Sequence, residues 1–238
     1  MVHKPAYSIP RQFKMKLLQV VLVLLFVAFI TAKVPPNRQS SLNVLTQVQS
    51  VIPSKKSRSS EQSAADVLNS FYRSVLTVQI EAVQKVLDTE AELSAFGETV
   101  DYWCWENNVS LLEGTIRWVG VGYSNCLAKL DTSVAEILSE VYSRSHDEKV
   151  DLSKYSVFGL FRKKNVISNP EAIQKAIASI NFGITKVIPE LNGVLPEFEA
   201  KLNEKLTNYS GCLTQKFSSA KVTLDSMLSS AKVCAESY

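Results

Sequence analysis

The chain has 238 residues, of which 46% are hydrophobic and 21% charged, with 26 basic residues against 23 acidic ones. Four of the basic residues (Lys4, Arg11, Lys14 and Lys16) precede residue 33 and no acidic residue does, so the remainder carries 22 basic and 23 acidic residues, a balance of −1. Because no basic surplus remains, we exclude nucleic acid from the expected partners.

Residues 1–32 have the features of a secretory signal peptide. An uncharged apolar run over residues 17–32 follows Lys14 and Lys16 and ends in the small residue Ala32. The run has 16 residues, fewer than the ~20 of a membrane-spanning helix, so we expect cleavage rather than an uncleaved anchor. Either Met1 or Met15 can be the true start, since a complete signal already follows Met15. The predicted localisation is secreted and extracellular.

Residues 33–62 are rich in Ser, Gln and Pro and predict a flexible arm, with at most a short helix over the apolar patch of residues 42–52. Residues 63–238 are the predicted helical domain. Its first helix stops at Gly97 and has apolar residues at steps of three and four, namely Tyr72, Leu76, Ile80, Val83 and Leu87.

The segment from residue 98 to about 149 gives conflicting signals. Its second half has a helical stripe from Leu127 to Val141. Its first half contains Gly114, Gly120 and Gly122, which would break a helix on propensity alone.

Two further helices follow a loop predicted over residues 150–168. The shorter one begins with Asn169 as its N-cap and Pro170 at its first position. The last helix has an apolar stripe that runs from Phe198 to Cys234 and predicts a partner helix along its length. No segment has the period of a strand, so the predicted fold class is all-α: an elongated bundle of long amphipathic helices with two inter-helix disulfides.

The four cysteines fall at two equal spacings, because Cys104 and Cys126 are 22 residues apart and so are Cys212 and Cys234. In a helix that spacing corresponds to about 33 Å, whereas a disulfide needs Cα atoms within ~7 Å. Cys212 and Cys234 lie on one predicted helix and cannot pair with each other, so Cys104 and Cys126 must each reach that helix. Antiparallel pairing, Cys104–Cys234 and Cys126–Cys212, is favoured, because neighbouring helices joined by modest loops usually run that way. Parallel pairing, Cys104–Cys212 and Cys126–Cys234, stays open. Either arrangement requires a nearly straight helix through the three glycines.

Two glycosylation acceptor motifs occur, at Asn108 and Asn208. Each lies four residues from a cysteine.

Aromatic residues cluster at two places in the sequence. Trp103, Trp105 and Trp118 surround Cys104; they can line a pocket for an apolar ligand or pack in a helix seam over the disulfide, and we favour the seam. The segment 158–161 holds two phenylalanines next to the basic residues 162–164. This segment can contact an anionic membrane surface or fold back on the bundle, and membrane contact is the less favoured interpretation.

We predict no enzymatic activity, no cofactor and no metal site. Loss of residues 1–32 leaves His146 as the single histidine, at a predicted helix end where an exposed residue is the expected role. The four thiols are too dispersed in the sequence for a zinc site.

A signal peptide, a helical remainder and four cysteines, two of them in the pairs Cys126-Leu127 and Cys212-Leu213, together resemble the insect TsetseEP-type domain family, secreted four-cysteine helical proteins of Diptera. The resemblance covers about residues 100–238. The family's namesake carries Glu-Pro repeats after this domain, and this sequence has none, so no role of a repeat tail is transferred. The resemblance implies an extracellular insect protein with no established activity and no catalytic residues to carry over.

The predicted function is therefore that of a secreted, disulfide-linked helical protein that acts by binding, or as a structural or interaction protein, in an insect extracellular fluid. Its expected partner is an unknown extracellular protein. The alternative is a carrier that holds a small hydrophobic ligand between its helices. Exposed stripes on such long helices would also allow a homodimer.

Overall fold

The structure, a computed structural model, describes residues 36–53, 63–145, 156–177 and 193–237. Within these ranges it contains helices and no strand: α1 (Pro36–Val51), α2 (Ala64–Gly97), α3 (Tyr102–Ser145), a 3₁₀ helix (Val157–Phe161), α4 (Pro170–Ile177) and α5 (Leu195–Glu236). The predicted all-α class with two disulfides is confirmed. The predicted signal peptide over residues 1–32 and His146 lie outside the described residues.

The core of the bundle is formed by α2, α3 and α5, and the contact between α3 and α5 is the most extensive. A short turn joins α2 to α3, so they run antiparallel, and α5 runs antiparallel to α3 because of its disulfide register. The helical stripes predicted from the sequence face this core. Its most buried members include Tyr72, Leu76, Val83, Ile116, Tyr123, Leu127, Phe198, Leu202 and Leu213.

Local sequence explains both ends of α2. At its start, the Ser63 hydroxyl accepts a hydrogen bond from the Asp66 N–H (3.1 Å), and the Asp66 carboxylate accepts one from the Ser63 N–H (3.3 Å), which completes a capping box. At its end, a Cβ on Gly97 would overlap the Trp105 ring. Gly97 therefore ends the helix at a point of close contact.

α3 is continuous through all three of its glycines, as the cysteine spacing requires. A Cβ on Gly120 would overlap the Asn165 side chain, and a Cβ on Gly122 would lie 3.0 Å from Cγ of Lys216 on α5. Gly114 has no such neighbour within 4 Å. Two of the three glycines thus lie where another part of the chain approaches α3 closely.

Residues 36–51 differ from the flexible arm expected over 33–62, because they form α1, which packs on α2 and α4. The apolar residues Val44, Leu45, Val48 and Ile52 recur at steps of one, three and four and are 0–2% exposed. Polar contacts add to this packing, since Arg73 on α2 donates to the Ile52 carbonyl (3.1 Å). Burial of this patch outweighs the polar Ser and Gln composition on which the expectation rested.

The segment that follows α3 forms the 3₁₀ helix, and its phenylalanines are buried, as the alternative to membrane contact expects. Phe158 is 2% exposed and Phe161 3% exposed, and the Phe158 ring packs edge-on against the Tyr72 ring at 5.0 Å between centroids. Arg162 binds the Asp131 carboxylate of α3 (3.1 Å). The segment therefore folds back on the bundle, and its aromatic side chains are part of the core.

Candidate functional site

Two disulfides join α3 to α5. Cys104 bonds to Cys234, with Cα atoms 5.6 Å apart, and Cys126 bonds to Cys212, with Cα atoms 5.9 Å apart. This is the antiparallel arrangement, and it uses all four cysteines. The two bonds are 22 residues, or about 33 Å, apart along each helix. They fix the register of α3 against α5 at both ends of this stretch.

Buried hydrogen bonds connect these two helices to α2. The Tyr209 hydroxyl on α5 donates to Oε1 of Gln79 (2.8 Å), and the Tyr123 hydroxyl on α3 donates to the carbonyl of Ala82 (3.4 Å). Burial raises the pKa of both tyrosines above its ordinary value, so both stay protonated as donors. These two hydrogen bonds thus join α3 and α5 to α2 inside the bundle, whereas the buried Tyr72 hydroxyl has no hydrogen-bond partner among the described residues.

The three tryptophans lie in different surroundings, so they neither line a common pocket nor pack together in the favoured seam over the disulfide. Trp105 is 9% exposed and packs edge-on against Phe96, at 5.9 Å between ring centroids. Trp103 is 79% exposed and Trp118 74% exposed. The cause is helical geometry: positions 103 and 105 are separated by about 200° around the helix, whereas 103 and 118 differ by only about 60°.

Two surface cavities lie along α3, and neither includes a tryptophan. One, of about 180 Å³, lies beside the Cys126–Cys212 disulfide, with Lys129 and Lys205 at its edge. The other, of about 250 Å³, lies between α3 and the 3₁₀ helix. Both are smaller than the ~300–1,000 Å³ of typical small-molecule sites.

The two glycosylation acceptors occupy different environments. Asn208 is exposed on α5. Asn108 is half-buried on α3, and its side-chain N–H donates to the carbonyl of Cys104 (2.9 Å). The structure thus places Asn108 next to the seam between α3 and α5. Asn208 is more exposed, although its side-chain N–H donates to the Glu204 carboxylate (3.4 Å) and it lines a cavity beside the Cys126–Cys212 disulfide.

The solvent-facing sides of α3 and α5 carry a second pattern of uncharged residues, which includes apolar side chains on both helices. On α3, outer positions recur at steps of three and four: Trp103, Asn107, Leu111, Gly114, Trp118, Val121 and Asn125. On α5 and its C-cap the outer positions follow the same spacing: Gln215, Ser219, Val222, Ser226, Ser229, Val233 and the C-cap residue Ser237. We call these two sets together the outer face. Its apolar members are well exposed, with Val222 at 72% and Val233 at 64%.

Both sets lie on the same side of the α3–α5 pair. Measured around the axis of each helix, the cysteines lie about 60–100° from the buried residues of the core. The outer positions lie about 80° beyond the cysteines, in the same rotational direction. Because the helices are antiparallel and their cysteines face each other, these rotations bring the two sets to one side. The outer face is therefore one surface, with the disulfides between it and the core.

The outer face carries no charge. Between the two disulfides, the acidic and basic residues of α3 and α5 lie on the flanks, as with Glu113, Arg117, Lys221 and Asp225. Charged residues make up 21% of the chain, so about three would be expected by chance among these fourteen positions. Exposed helix surfaces are usually rich in charge, and exposed tryptophan is uncommon. An uncharged surface with large exposed apolar side chains is typical of a contact site.

Within the described ranges, no group of three or more His, Cys, Asp or Glu side chains is placed to hold a metal ion. None of the described helices combines the length and apolar character needed to span a bilayer. Comparisons of the chain with protein-family models, with curated proteins and with solved structures found no match.

Proposed function

We propose that this chain is a secreted, disulfide-linked helical protein that acts by binding a macromolecular partner, and that it is not an enzyme. The observation that carries the proposal is the outer face, where Trp103 and Trp118 are more than 70% exposed on a helix pair fixed by two disulfides. Tryptophan contributes more binding energy than most residues, and a rigid surface loses little conformational entropy on binding.

Secretion is supported by two independent features. Disulfides of this kind form and persist in oxidising compartments, and residues 1–32 have the pattern of a signal peptide. Membership of the TsetseEP-type family, with an insect extracellular fluid as the setting, stays a prediction from the cysteine pattern. Glycosylation at Asn108 and Asn208 also stays a prediction.

The carrier alternative loses its main support, because the tryptophans that suggested a pocket lie apart, two of them in solvent. Native mass spectrometry before and after organic extraction distinguishes the protein that binds a macromolecule from the carrier of a small hydrophobic ligand. We expect no small apolar adduct. A stoichiometric adduct that extraction removes would establish the carrier instead.

Expression of the full chain in insect cells tests the secretory part of the proposal. We expect protein in the medium that begins near residue 33, with a mass lower by four hydrogens than that of the reduced chain. Protein that is retained in the cells with residues 17–32 attached, or secreted protein with free thiols, would contradict it.

A further inference from the structure

We infer that the partner of the outer face is a second copy of this chain, which makes the protein a two-fold symmetric dimer. This inference rests on the proposed binding function and names its partner. It is carried by the way in which the exposed apolar residues are spaced along the two helices.

On α3, Trp103 and Trp118 lie at equal distances from a midpoint between Ser110 and Leu111. The two tryptophans are 15 residues, or about 22 Å, apart along the helix. Leu111, which is 45% exposed, lies at the centre of this pair. Consider a two-fold axis that lies on the outer face and runs perpendicular to α3 at this midpoint. Rotation by 180° about this axis would place each Trp103 against Trp118 of the second copy.

On α5, Val222 and Val233 are centred in the same way on a midpoint between Met227 and Leu228. The disulfide register then relates the two midpoints. Cys104 lies opposite Cys234 and Cys126 opposite Cys212, so the point between residues 110 and 111 lies opposite the point between 227 and 228.

One axis across both helices therefore relates both apolar pairs. It stacks α3 on α3 and α5 on α5, each antiparallel, and it sets Val222 against Val233 as it sets Trp103 against Trp118. A two-fold interface needs such self-complementarity, since the contact of one position with another must occur twice.

The absence of charge is compatible with a copy as the partner. In a two-fold contact a charged residue next to the axis meets its own copy, and one farther away needs an opposite charge at the matching position; the outer face has no charged residue on either helix and needs no such match. Gly114, which has no neighbour within 4 Å, leaves room beside the large Trp118 ring for the opposing helix. The spacing of three and four is also the pattern by which helices pack along a seam.

The size of the surface is sufficient for a dimer. Two helices that are about 10 Å wide present roughly 650 Å² over the ~33 Å between the disulfides. The pair of copies would bury about 1,300 Å² in total, within the ~1,200–2,000 Å² of specific interfaces.

Sedimentation of the secreted full chain over a range of concentrations tests the dimer. We expect twice the chain mass for the wild type and at least tenfold weaker dimerisation for Val222→Lys, which places two buried lysines in each dimer. Thr214→Lys is the matched control, because Thr214 is exposed on α5 away from the outer face, and we expect it to leave dimerisation unchanged. Far-UV circular dichroism and intact disulfides check that each variant is folded.

Leu111→Cys tests the position of the axis. Because Leu111 lies next to the axis, two introduced thiols should meet and cross-link the dimer under mild oxidation, whereas those of Thr214→Cys should not.

A wild-type chain that stays monomeric through the high micromolar range would overturn the inference. So would a dimer that Val222→Lys leaves intact and Leu111→Cys does not cross-link. Neither result touches secretion or disulfide formation, so the proposed function would survive either one, with the outer face then open to a different macromolecule.

Discussion

Gly120 offers a sharp test of how α3 is packed. The Asn165 side chain lies against the α-carbon of Gly120, where a methyl group would overlap it. This side chain makes three hydrogen bonds: Oδ1 accepts from the N–H groups of Ile167 (2.9 Å) and Ser168 (3.0 Å), and Nδ2 donates to the carbonyl of Arg117 (3.0 Å). Gly120→Ala should displace Asn165 and break all three.

The expected change in stability follows from two opposing effects. Three hydrogen bonds at about 1 kcal/mol each represent a loss of about 3 kcal/mol. Alanine favours a helix over glycine by about 1 kcal/mol, which partly offsets the loss. Gly120→Ala should therefore lower the free energy of unfolding by about 2 kcal/mol, measured by urea unfolding of the oxidised protein at concentrations where it is monomeric.

Two further variants complete the test. Gly114→Ala is the matched control on the same helix; with no neighbour within 4 Å, it should raise stability by about 1 kcal/mol. Asn165→Ala removes the obstacle, so adding Gly120→Ala in that background should stabilise by about the same amount. If Gly120→Ala alone stabilised the protein as Gly114→Ala does, the packing of Asn165 against α3 would be refuted.

Two other predictions concern the disulfides and one buried carboxylate. In the first, Cys104 and Cys234 are replaced by Ser while the other disulfide stays intact, which releases a loop of about 45 residues in the unfolded chain. The gain in chain entropy should lower the free energy of unfolding by about 4 kcal/mol, seen as a lower urea midpoint. An unchanged midpoint would contradict this. Burial raises the pKa of Glu90, although Arg38 (2.7 Å) opposes the shift. Folding then favours protonated Glu90, so its contribution to stability should grow as pH falls and be lost as pH rises through the folded-state pKa. Glu90→Gln should remove this dependence from the pH profile of stability, and a profile identical to that of the wild type would show that Glu90 is not its source.

The parts of the fold that could be predicted are those set by periodicity and by a distance constraint. The stripes on α2 and α5 follow from apolar spacing alone. The continuity of α3 through Gly114, Gly120 and Gly122 runs against local propensity, and it was predictable only because two equal cysteine spacings demanded a straight segment. A geometric constraint on the whole helix thus outweighed three unfavourable residues.

Other features depend on contacts between distant parts of the chain. The glycine at position 120 is explained by Asn165, which is 45 residues away, and that contact leaves no trace in local spacing. The polar composition allowed at most a short helix over residues 42–52, whereas α1 begins at Pro36, because four buried apolar residues suffice when α2 and α4 provide the surface that covers them.

The positions of the tryptophans could not be predicted from their nearness in sequence. The sequence favoured a seam that packs the tryptophans over the disulfide, whereas the helix turns Trp105 into the core and Trp103 into solvent. The outer face itself was readable, since its positions follow a second pattern of three and four on the same helix. A search for two stripes on one helix, instead of one, would have found it.

The disulfides lie between the core and the outer face, and this position gives them a role besides stability. Core packing alone holds α3 and α5 only along the side that faces the core. Each helix could then still rotate about its own axis, or shift along it by one turn of about 5.4 Å. Bonds at Cys104 and Cys126 restrain both motions on the flank nearest the outer face. Only in this register does the midpoint between Trp103 and Trp118 on α3 lie opposite the midpoint between Val222 and Val233 on α5. A slip of one turn would move the two midpoints apart and destroy the common two-fold axis, so the same bonds that stabilise the bundle also set the geometry of its contact surface.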